Sequence, residues 1–77
     1  MQIEEARLQR SEGRLREAVL EPAERDNAWH VVFIDEAGRR HLLTDALGRP
    51  RRYHDLDRAT CVAREAGFDT VRVEEPF

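Results

Sequence analysis

Three groups of residues in this 77-residue chain have side chains able to do chemistry. His30 and His41 sit on neighbouring apolar segments and could share a metal ion if the two segments paired. No third ligand follows at a recognised spacing, and neither a C-x-x-C nor an H-E-x-x-H pattern occurs. The plainer reading is two partly buried, hydrogen-bonded histidines, so no metal or other cofactor is expected. Cys61 beside a His and an Asp would make a thiol nucleophile. It falls in mid-helix, pointing away from the apolar stripe, and lacks the helix N-terminus that lowers a thiol pKa. A surface residue is the better expectation, and no catalytic residue is assigned.

The third group is basic. Arg39-Arg40-His41 and Gly48-Arg49-Pro50-Arg51-Arg52-Tyr53-His54 bring five Arg, two His and a Tyr close together in sequence. Arg39, Arg40, Arg49, Arg51 and Arg52 could grip phosphates while Tyr53 stacked on a base. Strand alternation argues against this, sending Arg51 and Tyr53 one way and Arg52 the other. Asp45, Asp55 and Asp57 lie close by. A solvated, internally ion-paired surface, or an Arg-rich patch for an acidic protein partner, is the competing reading. Gly38, Gly48 and Gly67 each stand at a turn or cap and form no phosphate-binding loop. The pairs Glu4-Glu5 and Glu74-Glu75 read as solvated charge near the ends of the chain.

The elements that must position these residues follow from pattern. Residues 3–11 are strong helix formers, with Glu in the first turn and Arg in the last. Gly13 can supply a left-handed stop. A helix continued to Leu20, or a hairpin at Ser11-Glu12-Gly13, also fits; a short helix followed by a strand at 15–21 is preferred. Pro22 ends that strand, and residues 22–28 are a polar loop. Residues 29–34 (WHVVFI) read as a central strand buried on both faces. A Gly-containing turn leads to the paired strand 39–44, and a second one, 45–48, to an extended segment that Pro50 confines to a sheet edge. Asp55 caps a helix over 56–66 whose Leu56, Ala59, Ala63 and Ala66 share one face. Gly67 ends it, and 70–74 alternates as a last strand with Val71 and Val73 inward. The expected fold is α+β: a small, mainly antiparallel sheet of four or five strands, one central packed helix and a short N-terminal helix, over a single domain 1–77.

Pairing Ile34 with Arg39 would place Val32, Ile34 and Leu43 together on the face opposite Trp29, Val31, Phe33 and Leu42. Helix 56–66 can cover only one apolar face. The other needs the N-terminal segment or another chain, so Val32, Ile34 and Leu43 form a candidate self-association face of a homodimer.

Composition narrows the function classes. The chain has 13 basic and 16 acidic residues, a net charge of −3, and all 13 basic residues are Arg. The charge is segregated: residues 1–38 carry 5 Arg against 9 acids, 39–64 carry 7 against 3, and 65–77 carry 1 against 4. A basic middle thus lies between acidic ends, and the total is too small for a dedicated polyanion binder. Arg used throughout, acidic ends included, fits a GC-rich bacterial genome. No apolar run approaches the ~20 residues of a membrane span, so no membrane is expected. One cysteine excludes an internal disulfide, and with an N-terminus unlike a signal peptide it suggests the cytoplasm. In so short a chain nearly every large apolar residue, Leu8, Leu42, Leu47, Leu56 and Val73 included, is expected in the core, which leaves little to line a deep pocket.

The run Trp29-x-Val-x-Phe, followed by Gly38, Leu43, Asp45, Gly48-Arg49-Pro50, Leu56-Asp57-x-Ala59, Gly67 and a Val-x-Val strand, resembles short uncharacterised proteobacterial proteins. In those a hairpin, a D-x-x-G turn, a helix start and a last strand follow one another over the span matching residues 15–74. Asp55 stands where they often have a Ser; both can cap. The resemblance implies a bacterial protein and carries no functional residue across. The expectation is a non-enzymatic protein-interaction or accessory module, with a nucleic-acid-binding accessory protein as the alternative.

Overall fold

A computed structural model describes residues 1–25 and 27–74. Asp26 in the polar loop and Glu75 of the Glu74-Glu75 pair lie outside the described residues. The elements are α1 (Ile3–Ser11), β1 (Leu15–Pro22), β2 (Trp29–Asp35), β3 (Arg40–Leu42), α2 (Leu56–Glu65) and β4 (Arg72–Val73). The α+β expectation is met. The sheet order is β3-β2-β1-β4, antiparallel except for a parallel β1–β4 pair. The segment after Gly48 contributes two isolated bridges, Thr44 to Pro50 and Trp29 to Tyr53, instead of a fifth strand.

The short helix and following strand hold. Gly13, at φ +76°, provides the left-handed residue that lets the chain leave α1. The α2 cap also holds: the Asp55 side chain accepts from the Asp57 backbone N–H at 2.9 Å.

Both helices pack on the same sheet face. Leu20, Val31, Phe33 and Leu43 from the sheet meet Ala6 of α1, Ala59, Val62 and Ala63 of α2, and Phe68 beyond it. Phe33 and Phe68 stack with centroids 5.8 Å apart. Small residues let the helices come close. Larger ones at the margins stay outside: Leu8 is 54% exposed and Leu47 76%. Leu42, Leu56 and Val73 are exposed as well. Val71 packs against the core from its edge. Two arginines of α1 stitch the helices together. Arg7 Nε donates to the Glu65 carbonyl at 3.1 Å and Arg10 Nε to the Gly67 carbonyl at 3.4 Å. Both acceptors are carbonyls at the negative end of α2, where cations are favoured.

The β2–β3 register differs by one residue from the sequence expectation. Ile34 pairs with Arg40, Phe33 with His41 and Val32 with Leu42. The turn explains it. Asp35 N–H bonds the Arg39 carbonyl at 3.0 Å, and Gly38 takes φ +84°. This is a three-residue loop with a left-handed last residue, whereas the expected pairing needs four. An odd loop moves every β3 side chain to the other face. Leu43 therefore lies in the helix-covered core, and Leu42 takes its place on the open face.

Candidate interaction surface

Among the described residues, no helix covers the second face of the sheet. Val19, Val32 and Ile34 form a small separate cluster there. Around them the register places Glu17 and Glu21 from β1, His30 from β2, Arg40 and Leu42 from β3, and Arg72 from β4. Arg72 Nε bonds Glu17 Oε1 at 2.9 Å. Arg40 Nη2 pairs with Glu21 Oε1, so its side chain spans from β3 past the middle strand to β1. The aliphatic stems of these arginines roof the valines. This corrects the self-association face: Val32 and Leu43 are fully buried and Ile34 is only 9% exposed. None of the three offers a partner much surface, and Leu42, at 39%, is the large apolar side chain this face presents.

At one end the open face deepens into a cleft of about 500 Å³. Residues 21–25 form one wall and Pro50 and Arg52 the other, with His30, Arg40 and Leu42 between them. Arg52 Nη2 donates to the Arg25 carbonyl at 2.9 Å, tying the walls together. His30 Nδ1 lies 3.3 Å from the Arg51 carbonyl. A carbonyl only accepts, so Nδ1 carries the proton, which leaves Nε2 as the acceptor of the neutral ring.

The five candidate arginines do not form one patch. Arg40 and Arg52 line the cleft. Arg51 lies over the Tyr53 ring, 5.6 Å from its centroid, away from Arg52 as strand alternation requires. Arg49 Nε bonds Asp45 Oδ2 at 3.2 Å, and Arg39 sits at the end of the first turn. Tyr53 is not a free stacking platform. It exchanges two backbone hydrogen bonds with Trp29, at 2.7 and 3.0 Å, and packs against the helix-side core. Its hydroxyl is buried without a hydrogen-bond partner among the described residues, and desolvation raises its pKa.

The shifted register also separates the histidines. His30 faces the open side and His41 the helix side, where its Nε2 lies 2.9 Å from Asp35 Oδ2. Among the described residues, no group of His, Cys, Asp and Glu could hold a metal ion. Cys61 is exposed, as its place on α2 predicts.

One regularity is readable in the sequence once the structure shows it. Asp35-x-x-Gly38-Arg39 and Asp45-x-x-Gly48-Arg49 are the same turn twice. In each, Asp Oδ1 accepts from the backbone N–H groups two and four residues on, and Gly adopts φ +84° or +82°. The carboxylates are held below the usual aspartate range. For Asp35 the His41 hydrogen bond contributes most, and for Asp45 the Arg49 backbone N–H. Among the described residues, no helix is long and apolar enough to cross a membrane. No family model, curated protein or solved structure matches the chain.

Proposed function

We propose that the chain is a non-enzymatic interaction module that meets a protein partner through the open face of its sheet and the adjoining cleft. The observation that carries this reading is the placement of both helices on one face, which leaves the other as a broad charged surface with Leu42 exposed within it. Polar and charged groups around a limited apolar centre are what a non-obligate interface needs. The scattering of Arg39, Arg49 and Arg51 away from Arg40 and Arg52, with Tyr53 packed inward, weakens the nucleic-acid alternative. A bacterial cytoplasmic setting belongs to the same proposal, supported by the Arg-only basic residues and the free Cys61.

Affinity capture from the native cell, with and without nuclease, tests the reading. The expected result is a discrete protein partner whose recovery nuclease does not change. Loss of the partner on nuclease treatment, or capture of nucleic acid alone, overturns it. Homodimerisation is checked separately by light scattering: the module reading expects a particle near 9.0 kDa at high micromolar concentration.

A further inference from the structure

The cleft differs from the rest of the open face in charge and in shape. Arg25, Arg40 and Arg52 line it against Glu21 and Glu24, and Glu21 is already paired with Arg40. Among the described lining residues three Arg thus meet two Glu, an excess of one positive charge in a chain whose net charge is −3. Arg40 uses Nη2 toward Glu21, while its side chain stays 57% exposed. A guanidinium presents its donors in a planar fork that suits a carboxylate. Leu42 and Pro50 add apolar surface beside the charges.

We infer that this cleft binds a carboxylate on a peptide segment of the partner, held by Arg25 and Arg40 beside His30, with an adjacent apolar side chain against Leu42 and Pro50. The inference rests on the protein-interaction reading and names the chemistry of the partner. Two observations favour a peptide carboxylate over a nucleic-acid phosphate. Among the described residues, no Phe, Tyr or Trp lines the cleft, so it lacks the large aromatic platforms on which successive bases of a strand stack. Glu21 and Glu24 also stand at its wall, where they repel a continuous polyanion but leave room for a single carboxylate.

The test is an amide NMR titration of the intact chain with the peptide acetyl-Leu-Glu-Leu-amide. Its Gln analogue, inorganic phosphate and a short oligothymidine serve as the other arms. The Glu peptide is expected to shift the amides of Glu21, Ala23, Glu24, Arg25, His30, Arg40, Leu42 and Arg52, leaving Phe33 and Ala63 unmoved. The Gln analogue, and the Arg25→Gln and Arg40→Gln variants with the Glu peptide, are each expected to bind roughly tenfold more weakly, as loss of a charge-assisted hydrogen bond implies. Arg64→Gln, on the exposed side of α2, is expected to bind as the parent does. No localised shift with the Glu peptide, equal binding of the Gln analogue, or tighter binding of phosphate or oligothymidine to the same amides overturns the inference. Capture of the partner separates the two levels. A partner lost with Arg72→Glu but kept by Arg25→Gln and Arg40→Gln sinks the cleft and leaves the open face standing. A partner kept by all three sinks both.

Discussion

Val31 and Phe33 point from β2 into the helices, while Val32 and Ile34 point away, beneath Arg40, Arg72 and their glutamate partners. The two sides of one strand are thus buried by different means. On the helix side, apolar groups from α1, α2 and Phe68 fill the space, and burial there supplies most of the stability. On the open side, three apolar residues are covered by side chains that also face water. Such a cover contributes little to folding, because exposed ion pairs are worth about 0–1 kcal/mol each. It can also be rearranged or displaced by a partner. The difference suggests a division of labour, with one face holding the fold and the other available for binding.

The largest test of that division is Phe33→Ala. Loss of the ring and its stack on Phe68 should cost about 3–5 kcal/mol. A small domain has stability on the order of 5 kcal/mol, so urea unfolding followed by circular dichroism should show a chain near or past its limit. Val32→Ala, from the neighbouring residue on the other face, should cost about 2 kcal/mol. Equal losses would mean that the two faces hold the fold alike.

Acid should act through the turns. Asp35 and Asp45 have folded pKa values below the unfolded aspartate value of about 3.9. Their contribution is fully present above that value and is lost as pH falls through the folded values. Asp35 also bonds His41 on the helix side, and Asp35→Asn should flatten the acid limb of a stability–pH curve measured below about pH 4. An unchanged limb would assign acid sensitivity elsewhere. The smallest effects belong to the cover: Arg40→Ala and Arg72→Ala should each change stability by less than about 1 kcal/mol. Losses comparable to that of Phe33→Ala would make the open face structural.

Local chemistry made much of this fold legible in the sequence. The charge bias of α1, the Asp55 cap, Gly13 and Gly67 marked the helix ends, and the apolar run of β2 marked the central strand. The exchange of Leu42 and Leu43 was harder to foresee, because one residue of loop length decides it and D-E-A-G-R permits two counts. The packing of α1 beside α2 brings Arg7 and Arg10 to carbonyls more than fifty residues away in sequence, a pairing that periodicity does not encode. Of the candidate site, the Arg pattern was visible, and so was the opposed alternation of Arg51 and Arg52. The inward packing of Tyr53 and the cleft were not, because both arise from pairing of segments distant in the chain.

The central claim, that partners approach the open face, is tested most directly by a matched pair of photo-crosslinking residues. Leu42, 39% exposed, stands on the open face, and Leu56, 36% exposed, stands on the helix side at the start of α2. A crosslinker at position 42, irradiated in the native cell, should give a discrete adduct, and one at position 56 should not. An adduct from position 56 alone, or from neither position, would contradict the account.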